Sequence, residues 1–107
     1  MSSFVVVANL DRLSDRRGTL VEIGGEEIAL FRRNDEVYAI NNVCAHQHFS
    51  KLHEGRIAEY EVTCPMHGWA YDMRTGLNTT GQGKVASYPV RVVGNDVMLL
   101  IEAPESQ

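Results

Sequence analysis

The sequence predicts an all-β domain, an antiparallel sandwich or barrel, on three observations. Short alternating or β-branched runs dominate the chain. Glycine, asparagine and aspartate turn signals separate these runs at close spacing. No window keeps a 3.6-residue hydrophobic period with a cap at both ends, as a helix would.

In chain order, Leu20 to Ile23 leads into Gly24-Gly25, and Glu27 to Arg33 follows, the pattern of a hairpin with a glycine turn. Asn34-Asp35 makes the next turn. Glu36 to Asn41 alternates as a further strand, with Val37 and Ala39 on one face and Tyr38 and Ile40 on the other. Tyr60 to Cys64 and Trp69 to Asp72 form two strands around a Pro-Met-His-Gly turn, and Arg74-Thr75-Gly76 turns the chain again. Past Gly81 and Gly83, Tyr88 to Val93 and Val97 to Ile101 flank Gly94-Asn95-Asp96 as a closing hairpin.

A length of 107 residues is enough for one ordinary core, so a single domain is expected. Hydrophobic residues at 44% and charged ones at 22% sit near globular averages, which sets aside disordered, collagen-like and coiled-coil architectures. Phe4 to Ala8 is far too short an apolar run to cross a bilayer and has no basic flank or cleavage site, so no membrane partner and a cytoplasmic location are expected. Ten Lys plus Arg against fourteen Asp plus Glu give a net charge of -4, which argues against nucleic acid as a partner. Mild acidity suits solubility, or docking onto a basic protein. The runs Arg16-Arg17, Arg32-Arg33 and Glu26-Glu27 read most simply as solvated turns.

Cys44 and Cys64 are the two cysteines. In the reducing compartment expected for such a chain, two thiols more often hold a metal than a disulfide. Four potential ligands occur as two short pairs, Cys44-Ala45-His46 and Cys64-Pro65-Met66-His67, with seventeen residues between them. A dinuclear iron centre needs two protein ligands on each iron, and one Cys with one His from each loop supplies two thiolates and two imidazoles. The same four side chains are a possible structural zinc set. Zinc fingers usually pair Cys with Cys and His with His, the histidines on a helix, and no such helix is predicted here. Mixed pairs on β-loops favour the cluster.

The motifs C-x-H at Cys44 to His46 and C-P-x-H-G-W at Cys64 to Trp69 resemble those of the Rieske ferredoxins and Rieske domains. The likeness extends over nearly the whole chain, through the strand before the first pair, the Gly55 region, Tyr71-Asp72 with Thr75-Gly76, and Tyr88-Pro89-Val90. It implies one Rieske domain over residues 1–107: an antiparallel β-sandwich base with a small cluster-binding subdomain of two loops, about 42–53 and 63–71. Cys44, His46, Cys64 and His67 carry over as ligands of one Rieske-type [2Fe–2S] cluster. By the same resemblance, His46 and His67 hold the outer iron, where an added electron resides.

The resemblance further implies a one-electron carrier that does no substrate chemistry itself, with a flavin-containing reductase and a terminal oxygenase as protein partners. The alternative is the small Rieske subunit of a multi-subunit reductase such as assimilatory nitrite reductase. A zinc-stabilised structural domain is the third reading.

With neutral imidazoles, two ferric ions, two sulfides and two thiolates sum to zero, whereas four thiolates leave the oxidised cluster doubly negative. Reduction is correspondingly easier, in line with Rieske potentials of roughly -150 to +300 mV against about -400 mV for plant-type ferredoxins. High-potential Rieske proteins carry an extra cysteine in each loop and a serine two residues after the second histidine. The matching positions here are Phe49, Met66 and Trp69, which points to the low end. Tyr71 falls where the high-potential family has a hydrogen-bonding tyrosine, and a core tyrosine is the equal alternative.

His48 and His53 are expected to be non-ligands, because the iron site of Rieske oxygenases, two histidines and a carboxylate, lies in a separate large domain. His48 stands where the family often has glycine. Phe49, Leu52, Pro65, Met66 and Trp69 are expected to shield the cluster or to pack in the core, some forming an apolar docking tip beside His46 and His67.

Overall fold

Glycines at 24 and 25 both take positive φ, 61° and 79°, the backbone a tight two-residue hairpin turn demands. That turn joins two of the strands in a computed structural model that describes residues 2–43, 52–65, 68–81 and 83–102. Over these residues the chain forms β1 (Ser2–Asn9), a 3₁₀ turn at Leu10–Arg12, β2 (Thr19–Ile23), β3 (Glu26–Arg33) and β4 (Glu36–Asn41). A second 3₁₀ turn at Leu52–Glu54 precedes β5 (Arg56–Ala58), β6 (Glu61–Thr63), β7 (Ala70–Asp72), β8 (Ser87–Tyr88), β9 (Val90–Val93) and β10 (Asp96–Glu102). The strands order into three antiparallel sheets, β1–β10–β9, β2–β3–β4–β8 and β5–β6–β7. The expected all-β sandwich with a small added subdomain is what the chain forms.

The sheet of β2, β3 and β4 is the middle layer. Ile28 and Leu30 of β3, with Val37 and Ala39 of β4, face a core completed by Val97 and Leu99 of β10. Ala29, Phe31 and Ile40 point the other way, into a second core with Leu52, Val62, Cys64, Tyr71, Met73 and Val85. Burial on both faces is why Ile28 to Phe31 is a continuous apolar run rather than an alternating one. The second core is the platform on which the two motif-bearing loops stand.

Three elements differ from the sequence reading. Phe4 to Ala8, read above only as an apolar run, is the centre of β1, paired with β10; the register shifts between Val6 and Ala8, a bulge at Val7 that breaks the alternation. The three-residue β5 is too short to carry a periodic signal. Tyr88 to Val93 is two strands rather than one, because Pro89 has no N–H to continue a ladder. Tyr88 pairs with Ala39 in the middle sheet, while Val90 pairs with Leu99 in the outer one.

Candidate metal centre

The second motif begins where β6 ends. The Cys64 amide donates to the Trp69 carbonyl at 2.7 Å, and the Gly68 amide donates back to the Cys64 carbonyl at 3.2 Å. Gly68 closes this turn at a φ of 72°, which an L side chain rarely adopts. Cys64 itself is 1% exposed and sits in the second core. Met66 and His67 lie outside the described residues.

Behind the turn, the segment after β7 straps it in place. Thr79 N–H donates to the Ala70 carbonyl at 2.8 Å, and the Ala70 amide donates to Thr80 Oγ1 at 3.3 Å. Thr80 Oγ1 in turn donates to Asn78 Oδ1 at 2.7 Å. The two bonds to Ala70 hold the strand that leaves Trp69, and the third orients the Thr80 hydroxyl.

The first motif hangs from the end of β4. Cys44, His46, His48 and Phe49 lie outside the described residues, but both ends of their loop are placed. Asn42, fully buried, receives the Leu52 amide on its carbonyl at 3.2 Å and the His53 amide on its side-chain Oδ1 at 2.7 Å. His53 Nδ1 lies 3.0 Å from the same Oδ1, and its Nε2 lies 3.6 Å from Glu54. The His53 ring thereby lies between Asn42 and Glu54 at the loop's exit.

The two loops share a root. Leu52, where the first loop ends, and Cys64, where the second begins, belong to one core. Gly55 lets them meet, since a Cβ there would overlap the Thr63 carbonyl oxygen. Tyr38, Tyr60, Ile57 and Trp69 pack around this core, Tyr38 and Tyr60 edge-to-face at 5.8 Å and 89°. Arg74 lies 4.5 Å over the Tyr60 ring and grips Asp72 with two bonds, Nε to Oδ1 at 3.0 Å and Nη2 to Oδ2 at 2.9 Å. These bonds hold the Asp72 carboxyl below the usual carboxylate range.

A family model of the Rieske [2Fe-2S] domain matches residues 3–89. The chain belongs to the Rieske [2Fe–2S] domain family. This Rieske domain is 31% identical over 102 residues to the ferredoxin component of the naphthalene 1,2-dioxygenase/salicylate 5-hydroxylase systems of Ralstonia sp, covering 94% of this chain and 97% of that one. The ferredoxin of carbazole 1,9a-dioxygenase from Nocardioides aromaticivorans IC177 superposes with a TM-score of 0.85 at 34% identity, over 96% of this chain and 99% of that one. A chain from Mycobacterium tuberculosis assigned to the small subunit of an NADH-dependent nitrite reductase gives a TM-score of 0.88 over 97% and 99%, at 23% identity, a likeness of fold alone.

The family's cofactor is a [2Fe–2S] cluster, and the Rieske domain fits it where it is described. A thiol at 1% exposure, fixed by the turn it opens and rooted beside the exit of the other motif loop, suits a thiolate shielded from water. When bound, such a cluster takes up and releases one electron. The protein roots the exit of the first motif segment and the start of the second in one core and buries Cys64 there. Sequence reading passed over Asn42 and the Asn78–Thr80 strap. The local signal for Asn42 is its place inside an Asx turn, between Asn41 and Val43, with Val43 N–H donating to Asn41 Oδ1 at 2.9 Å.

Proposed function

We propose that this Rieske domain is the ferredoxin component of an oxygenase system, accepting single electrons from a flavin-containing reductase and passing them to a terminal oxygenase. The observation that carries the reading is similarity from end to end, at 31% and 34% identity, to two ferredoxins of aromatic dioxygenase systems, 97% and 99% of whose length is matched. Cys44 and His46 from the first loop, and Cys64 and His67 from the second, hold one cluster. His46 and His67 take the outer iron and form the exit for the electron. Residues 1–107 work as one domain with no substrate chemistry of its own, in the cytoplasm, where the thiols stay reduced for iron. Among the described residues no helix is long and apolar enough to cross a membrane.

The test is an absorption spectrum and low-temperature EPR of protein purified without air, before and after dithionite, with iron and zinc content. A red-brown protein whose reduced form has the low average g of mixed imidazole and thiolate ligation supports the reading. Cys64→Ser and His67→Ala are expected to abolish that signal. A colourless protein with one zinc per chain overturns it. Co-purification with a large reductase subunit replaces the free carrier by the nitrite-reductase-type small subunit.

A further inference from the structure

We infer that Asn42 and His53 form a clasp that positions the first ligand-bearing loop and thereby sets how long the cluster is retained and at what potential it works. The inference rests on the proposed reading of this chain as a cluster-bearing carrier. Asn42 and His53 are positioning residues.

Asn42 is a polar side chain at 0% exposure, a placement that costs stability unless its groups are paired. Among its bonds are those to the start of β3 and to the exit of the first loop. The backbone N–H donates to the Glu27 carbonyl at 2.9 Å, and Nδ2 donates to Glu27 Oε1 at 3.3 Å, which ties Asn42 to the start of β3. The backbone carbonyl receives Leu52 N–H, and Oδ1 receives His53 N–H together with Nδ1, which ties Asn42 to the loop's exit. One residue thus fixes entry and exit together.

His53 is pinned from its other side as well. Its carbonyl accepts the Gly18 amide at 3.1 Å, and Gly18 approaches so closely that a Cβ there would stand 2.8 Å from that oxygen and 2.9 Å from His53 Cα. With Oδ1 as acceptor, the His53 ring carries its proton on Nδ1 and turns Nε2 toward Glu54. The exit of the loop is thus tied on two sides.

The sequence between Asn42 and Leu52 includes Cys44 and His46. Holding its ends removes conformations that the two ligands otherwise have to give up when the cluster binds. Hydrogen bonds and loop geometry beside a cluster also tune its potential. Loosening the clasp therefore acts on the cluster before it acts on the fold.

The test compares anaerobically purified holoprotein with four variants. Asn42→Ala removes the acceptor of both His53 donors, and His53→Ala removes the ring donor alone. His53→Asn keeps a side-chain N–H donor at that position. Val97→Ala weakens the distal core, far from the loops, as a stability control. Cluster loss to an iron chelator is followed by absorbance well below Tm, and the reduction potential is measured by dye-linked titration. The expected result is cluster loss faster by about tenfold in Asn42→Ala, less in His53→Ala, with most of the lifetime recovered in His53→Asn. The potential moves in the same order, and Val97→Ala lowers Tm without changing either.

Should Asn42→Ala not fold, His53→Ala against wild type decides. Cluster loss that follows Tm across all variants, or that is the same in His53→Ala as in wild type, overturns the clasp alone. Wild-type protein without a cluster overturns the clasp and the carrier reading together.

Discussion

Gly55 and Thr63 approach so closely that the place a Cβ would take on Gly55 is already filled by the Thr63 carbonyl oxygen. Val62 Cγ2 lies 2.8 Å and the Leu52 carbonyl oxygen 3.1 Å from the same point. Two of these three neighbours are backbone and cannot swing aside. Gly55→Ala is expected to destabilise the fold by about 1–3 kcal/mol, the usual cost of overpacking. Because the contact joins the exit of one motif loop to the strand that feeds the other, iron content falls as well. Thermal denaturation with iron analysis checks both effects, and a variant as stable as wild type would refute the contact.

Tyr71 is fully buried in the same core as Cys64, and its strand partner is Val62, two residues before that cysteine. Tyr71→Phe is expected to lower the reduction potential by about 40 mV, the equivalent of ~1 kcal/mol for one electron, if the hydroxyl bonds toward the cluster. Protein-film voltammetry of the two proteins measures this directly. An unchanged potential makes Tyr71 a packing residue.

Asp72 and Arg74 give the chain an acid-sensitive contact. Arg74 holds the Asp72 carboxyl below its ordinary pKa, chiefly through the side-chain bonds, while burial opposes this. A depressed carboxylate contributes stability that is present above about pH 4, its unfolded value, and is lost as pH falls through the folded value. The stability difference between wild type and Asp72→Asn is therefore expected to be flat from about pH 5 to 8 and to shrink toward pH 3. Urea titrations across that range test it, and a difference that grows on acidification would be the wrong sign. Arg74 is half exposed, so added salt is expected to reduce the effect.

At the alkaline end the tyrosines matter. The Tyr38 hydroxyl donates to Glu36 Oε1 at 2.6 Å, and this bond, with burial, pushes its pKa up to about 12. Tyr88 is pushed to about 12 mainly by burial, with its bond to Glu26 adding and the Asn41 donor opposing. A raised tyrosine stays protonated in the fold while the unfolded chain ionises, so stability falls between pH about 10 and about 12. Tyr38→Phe and Tyr88→Phe are each expected to flatten that fall. Phenolate absorbance near 295 nm gives an independent check: both variants should lose only the late part of the titration curve.

How much of this was legible depends on where each signal lives. Gly24-Gly25 and the alternation of Val37 and Ala39 against Tyr38 and Ile40 are local, and the structure places those residues on the expected faces. β1 was hidden because its bulge and half-exposed valines follow no period, so only its pairing with β10 makes it a strand. Pro89 is a plain breaker in the sequence, yet that it sends Tyr88 and Val90 to different sheets is a tertiary fact. The same divide runs through the site. The Cys–His pairs stand out in the sequence because metal binding asks for particular atoms at short spacing. The bond from Asn42 to His53 joins residues eleven apart through a carboxamide that any turn could carry.

The flanks of both motif segments are tied together, one between Asn42 and Leu52, the other between Cys64 and Trp69. Substitutions between these points are therefore expected to leave the strand pairings that anchor each segment in place. Electron carriers with different potentials or docking partners can be made from one scaffold in this way. For protein engineering, these flanking residues are the boundaries at which to cut and graft.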